Sequence, residues 1–297
     1  MSLLNITSDG LPNILVQLHA TVLRANKPVP VAELLEHVAP AEFVDDDGHA
    51  RNTLNRWIEL GLFINENELV SARAPFPARR ASALELLAFT RRSVCRLAFS
   101  EENNTNLWAA KSAQASDLTR SLAWMLAQDA YRTVFSELET MEPLQIVDSD
   151  RQLMRNPTRK TGLQYWARFL GFSREPFACI DPTVAVRDAL PEILESGEEM
   201  PATQFLDRLS EVLPVLDGGR WQEEVLSFVD QAYLPRRPVG QISTALSRAL
   251  LNLRQTGELL LQPKADFGSS LVLTGAGGVR SDLAFQWVAR PGKGEKV

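Results

Sequence analysis

The sequence predicts a chain that is mainly α with small β wings, in which a helix-and-hairpin domain at each end is joined by an α-helical middle domain. Three observations lead there. Apolar residues recur at helical spacing through most of the chain, whereas runs with strand character are short and bounded by Gly, Pro or Asn. The 297 residues exceed one small domain, and the 45% hydrophobic and 23% charged composition is that of a globular chain. Near both ends, a helix that stops at a glycine is followed at once by short apolar runs. The expected divisions are 1–78, 79–178 and 179–297.

In the first division, Ile14, Leu15, Leu18, Val22 and Leu23 put one apolar face on a helix over residues 11–26, which the Lys27-Pro28-Val29-Pro30 turn ends. A second helix covers Val31 to Val38 and stops before Pro40. After the acidic turn Asp45-Asp46-Asp47-Gly48, a third runs from His49 to Leu60, with Leu54, Trp57 and Ile58 toward the core and Gly61 as its exit. Leu62-Phe63-Ile64 and Glu68-Leu69-Val70 then form a hairpin around Asn65-Glu66-Asn67. This order, with RNTLNRWIELGLFINENELV at its centre, resembles a winged helix-turn-helix domain, a recognition helix running into its wing.

Residues 80–178 read as helices over Ala83–Phe99 and Ala115–Phe135 and a shorter one around Gly162–Leu170, with the loop Ser100 to Asn106 between the first two. Beyond them, Pro182–Ser196 and Pro201–Leu213 read as helices. Ile242, Leu246, Leu250 and Leu253 mark a longer helix ending at Gly257. Glu258–Leu261 and Ser270–Leu273 read as strands around the loop 262–269, and Leu283–Val288 as an edge strand. This resembles a second winged helix, with an insertion, Trp221 to Pro238, before its recognition helix.

Candidate contacts with DNA follow from these placements. Asn52, Asn55, Arg56 and Glu59 fall on one helical face, with Arg51 beside them; in DNA-bound winged helices such a face lies in the major groove, where Asn pairs with adenine and Arg with guanine. The same face suits a protein contact or plain solvent. Near the other end, Arg236-Arg237, Ser247 and Arg248 suit phosphates. Between them Arg151, Arg155, Arg159, Lys160, Arg168 and Arg174 meet no acidic residue in sequence, interleaved with Tyr165, Trp166, Phe169 and Phe172, which read as core more readily than as a stacking platform. Residues 188–230 are acidic, which would give the chain a basic and an acidic side.

Other classes are disfavoured. A net charge of −6 excludes bulk coating of nucleic acid, so any DNA contact must be local. Cys95 and Cys179 lie in apolar surroundings without metal-ligand spacing, and His19, His37 and His49 likewise lack such spacing, so no cofactor or metal is expected. Gly275-Ala276-Gly277-Gly278 lacks the Lys-Ser or Lys-Thr of a phosphate loop and reads as a turn. Glu142, Asp148 and Asp150 lack the lysine and strand setting of a nuclease site, so the chain reads as a non-enzyme. The amino terminus has no basic segment before a long apolar run, and no stretch would span a membrane, so a cytoplasmic location is expected.

Finally, the opening MSLLNITSDGLPNILVQL and the segment TGLQYWARFLGF resemble the DpdG family, a component of bacterial clusters linked to 7-deazapurine modification of DNA. That resemblance implies an accessory subunit of a DNA-modification or antiphage defence system, with helicase and nuclease partners, and supplies no catalytic residue. Two other expectations stand beside it: an adaptor that assembles a helicase, nuclease or ATPase complex, and a dimeric transcription regulator on a palindromic site.

Overall fold

A computed structural model describes residues 3–4, 11–76, 81–108, 114–175, 179–264 and 270–292. The chain divides into two compact units, Met1–Leu118 and Thr119–Val297, a boundary that falls within the stretch 79–178. Both are mainly helical, with small antiparallel sheets.

In the first unit, α1 (Pro12–Ala25) opens on a proline, whose missing N–H costs nothing in a first turn, and buries Leu15, Leu18 and Val22. The two-residue β1 (Val29–Pro30) runs directly into α2 (Val31–Val38), because Pro30 ends the strand and caps the helix with an extended ψ of 137°. Next comes α3 (Gly48–Glu59). It ends in a paired motif in which Gly61, at φ +90°, donates to Ile58 O while Leu62 N reaches Trp57 O. β2 (Phe63–Glu66) and β3 (Leu69–Ala72) form a hairpin whose turn residues, Asn67 and Glu68, both have positive φ, the tight turn that matches strand twist. With β1 they make a sheet of order β1-β3-β2, and α1 packs on α2, α3 and α4 (Ala83–Ala98). A capping box between Ser82 and Glu85 starts α4. The loop after it is structural: Asn103 Nδ2 donates to Leu60 O and Leu97 O, and Asn104 Nδ2 to Ala98 O and Ser100 O.

The helix expected over 115–135 is shorter, α5 (Ser116–Leu126). It stops because the carbonyls and amides beyond it are used elsewhere: Gln128 O accepts from the Thr244 hydroxyl, Ala130 N donates to Thr244 Oγ1, and Thr133 N turns back to Asp129 O. In the second unit α6 (Leu138–Gln145) precedes α7 (Pro157–Leu170). The side chain of Asn156 accepts from Thr158 N and Arg159 N to start α7, and Gly171, at φ +83°, ends it. β4 (Ser173–Arg174) and β5 (Cys179–Ile180) pair, and α8 (Thr183–Ile193) follows.

From α8 onward the plan of the first unit recurs. The order is α8, β6 (Glu199–Pro201), α9 (Ala202–Val212), α10 (Arg220–Leu226), α11 (Thr244–Gln255), β7 (Leu260–Gln262), β8 (Leu271–Thr274), β9 (Arg280–Phe285) and β10 (Trp287–Ala289). Removing α10 and the β8–β9 pair leaves helix, strand, two helices and two strands, with sheet order β6-β10-β7 matching β1-β3-β2. Even the strand-to-helix joints agree: Pro201 stands where Pro30 does, and Ala202 N donates to Gln286 O as Val31 N donates to Glu68 O. Here the strand reading needs correction. The two strands around 262–269 do not pair with each other: β7 pairs with β10 and β8 with β9. Nor is the last strand at an edge, since β10 lies between β6 and β7.

Candidate nucleic-acid interface

On α3 the exposed residues are His49, Arg51, Asn52, Asn55 and Glu59. Arg51 spans back to Asp47 at 2.8 Å. Arg56 is only 4% exposed, packed on the helix side that also buries Thr53 and Trp57, with a nitrogen 3.0 Å from Glu59. It therefore does not project from the face where helical spacing puts it. The setting is acidic as well: between Glu33 and Glu68 nine Asp and Glu stand against two Arg, a distribution that repels phosphate.

The arginine-rich run lies in the second unit, and its charge is answered by acids from elsewhere in the sequence. Arg151 lies 3.0 Å from Asp148 and over the Phe228 ring at 3.6 Å, and Lys160 lies 3.0 Å from Glu139. Looser pairs join Arg168 to Glu175 at 3.7 Å and Arg174 to Asp181 at 3.9 Å, with both arginines mostly exposed. Arg155 is exposed and Arg159 half-buried. Trp166 and Phe172 are buried, while Tyr165 is exposed and Phe169 meets Trp166 edge-on, so the aromatic stripe is largely core.

At the far end, Arg236 is exposed and Arg237 lies 3.2 Å from the buried Asp217, whose carboxylate also accepts from Ser243 N. Ser247 is 1% exposed and accepts from Thr274 N at 2.8 Å. Arg248 donates to Ala130 O and Ile180 O at 2.7 and 2.8 Å and lies over the Tyr131 ring at 4.6 Å. Ser247 and Arg248 thus join the covered side of α11 to its neighbours.

Between α11 and the β8–β9 hairpin a cleft of about 500 Å³ opens, lined by Tyr131, Leu251, Arg254, Leu273, Ser281 and Asp282 among others. Exposed Arg280 adjoins Ser281, and Arg132, 69% exposed, lies against the Gly277 backbone. Sequence reasoning missed this group because its members are spread over some 150 positions and form no motif. The glycine-rich segment is a turn joining β8 to β9, and Gly277 N donates to Asp129 Oδ2 at 2.6 Å.

The acids considered for a metal site are built into the backbone instead. Glu142 is buried and accepts from Leu153 N and Met154 N at 2.8 and 2.7 Å; burial pushes its carboxyl above the ordinary value against the pull of those bonds. Asp148 accepts from Asp150 N, and Asp150 is exposed. Of the histidines, His19 is buried beside Thr90, His37 bonds Glu33 O and His49 sits in the first turn of α3. Cys95 is buried and Cys179 half-buried, each a thiol. No helix among the described residues is long and apolar enough to cross a membrane.

Compared with known proteins, no curated sequence and no solved structure matches the chain. A sequence profile described as DpdG-like matches residues 1–267, nine-tenths of the length. The chain belongs to the DpdG-like family.

Proposed function

We propose that this chain is an accessory subunit of a multi-component DNA-modification and defence system, that it contributes binding rather than catalysis, and that its second unit contacts DNA. Membership of the DpdG-like family supports the setting. The repeated order of helix, strand, two helices and two strands supports reading both units as winged-helix modules, a plan used for DNA and for protein contacts alike. The observation that carries the assignment of DNA to the second unit is a local one, its set of exposed arginines against the acidic setting of α3, since each unit as a whole exposes charge of both signs. Arg132, Arg155, Arg168, Arg174, Arg236, Arg254 and Arg280 are all exposed there, whereas the α3 face of the first unit stands among acids.

The test is fluorescence anisotropy of the full chain on duplex and single-stranded DNA over a salt series, beside an Arg155→Glu/Arg168→Glu/Arg174→Glu variant. Affinity should fall steeply with salt for the wild type, and the slope should flatten by about 0.7–0.9 for each phosphate that the variant no longer neutralises. A salt-independent affinity, or a variant with unchanged slope, refutes the assignment.

A second reading, the adaptor, is favoured for the first unit by one feature. Phe43 is 79% exposed and Val44 42% exposed, within the acidic turn Glu42 to Asp47 that leads into α3. An apolar tip ringed by carboxylates suits a basic protein surface with a small apolar pocket. Phe43→Ser should lower recovery of a co-purifying subunit from the native host without lowering the melting temperature; unchanged recovery rejects it.

A further inference from the structure

The recurrence of one plan in both units makes the difference between them informative. In the first unit α3 shows solvent its exposed Asn52 and Asn55. Its counterpart α11 is covered: β8 lies on it through Ser247, its first turn is tied through Thr244 to Gln128 and Ala130, and seven of its twelve residues are buried. A helix held in this way cannot enter a major groove, which is about 12 Å wide and must receive a bare helix. What the added hairpin leaves beside α11 is the 500 Å³ cleft, within the usual size of a small-ligand site of about 300–1,000 Å³.

We propose that this cleft is a nucleobase pocket that takes one unstacked base of single-stranded DNA, its flanking phosphates held by Arg132, Arg254 and Arg280. The proposal rests on the reading that the second unit contacts DNA. Tyr131 is the stacking surface. The residue is 39% exposed and lines the cleft, and the Arg248 guanidinium that lies over its ring is fixed by two carbonyl acceptors, so the ring is held in place before any ligand arrives. Leu251, Leu273 and Leu283 supply apolar wall, which accepts a flat base. Asp282 and Ser281 supply acceptors for base N–H groups, and Arg254 on the lining, with exposed Arg132 and Arg280 next in sequence to Tyr131 and Ser281, supplies charge for phosphate. Base and phosphate together fit this mixture of stacking face, acceptors and outer cations.

The experiment measures binding of the full-length protein to a short single strand carrying 2-aminopurine, read by anisotropy and by quenching of the base, with a deoxynucleoside monophosphate as competitor. Tyr131→Ala should weaken strand binding about 5- to 150-fold and abolish the quenching, while Tyr131→Phe keeps both, because one base–aromatic stack accounts for that range. Arg254→Glu/Arg280→Glu changes only exposed positions, so it tests the pocket without disturbing the core; it should weaken the strand at least about tenfold and flatten the salt slope. Competition by the monophosphate at the concentration that suffices for the strand would assign the pocket to a free nucleotide of the same chemistry. Wild-type strand affinity in both Tyr131→Ala and Arg254→Glu/Arg280→Glu overturns the pocket yet leaves the duplex salt series to speak for DNA contact. Failure of the wild type to bind any DNA at low salt overturns the parent reading instead.

Discussion

Acidification should weaken the first unit at His19. It lies on α1, 1% exposed, with its ring edge-on to Phe63 at 5.7 Å and stacked on Phe89 at 5.9 Å. Its Nδ1 lies 2.9 Å from Thr90 Oγ1, and that hydroxyl donates its own proton to Leu86 O. The hydroxyl can then only accept from the ring, which fixes the neutral tautomer with the proton on Nδ1. Burial lowers the pKa from 6.5 to about 4. The unfolded chain takes up the proton near 6.5 and the folded chain resists until about 4, so within that window the unfolded state binds more protons. The contribution of His19 is complete above the upper value and is lost as pH falls toward the lower one. The interval corresponds to about 3 kcal/mol, an upper figure for one group. Histidine Cε1–H resonances followed by NMR should show one of the three rings titrating near 4, and amide exchange of α1 should show its protection falling over the same interval. His19→Leu, which keeps the Thr90 to Leu86 bond, should remove that part of the pH dependence. A His19 resonance that titrates near 6.5, or a stability difference between wild type and variant that does not change with pH, refutes the reasoning.

Other perturbations test the remaining features. Arg56→Met replaces a buried guanidinium whose Nε has no hydrogen-bond partner with an apolar chain of similar length; stability should change by less than about 1 kcal/mol in denaturant melts, and DNA affinity not at all. Gln145→Leu orphans the buried indole N–H of Trp124, 2.8 Å away, and breaks the paired amides with Gln128, so unfolding of the second unit should become easier by about 2–4 kcal/mol, read from near-ultraviolet circular dichroism. Gly171→Ala sets a Cβ 2.7 Å from Ala185 N and from Val184 Cβ at a φ of +83°, and should cost about 2–4 kcal/mol by thermal melt. For Glu142 the sign opposes that of His19: a raised carboxyl pKa means the folded state holds the proton longer, so lowering pH into its range favours the fold, and Glu142→Gln should remove that slope from acid-side melts.

Helices of the first unit were legible to within a residue or so, because each ends at a residue with a mechanical reason to end it. Gly61 supplies a left-handed exit from α3, and Pro30 both closes a strand and opens α2. β1 was not legible: two residues, one a proline, carry no alternation, and their place in a sheet depends on Val70 and Leu69 some 40 positions later. The pairing of β7 with β10 was hidden for a related reason, since the intervening β8–β9 pair offers nearer strands of equal apolar character. For the candidate site, sequence separation again decides. The run from Arg151 to Arg174 reads as uncompensated because Glu139, Asp148, Glu175 and Asp181 lie outside it, and folding brings them within 4 Å. Arg56 and Ser247 show the limit of helical spacing: it fixes which residues share a face, and what packs against that face is settled by other segments.

That limit bears on what a repeated fold can be taken to mean. Two units with one strand order need not do one job, because the plan fixes where a helix lies and not what surrounds it. Around α3 the chain sets Asp45, Asp46, Glu66 and Glu68, all exposed, which raise the cost of bringing in a phosphate backbone and lower the cost of bringing in lysine or arginine. Around α11 it sets a second hairpin, which takes the outer face of the helix into the core and leaves in exchange a cleft lined by Arg254 and Asp282 among others. Exposed acids beside α3 and exposed Arg254 on α11 would suit a subunit that holds a protein with one surface and a nucleic acid with another, since like charges at both sites would let DNA compete for the protein site.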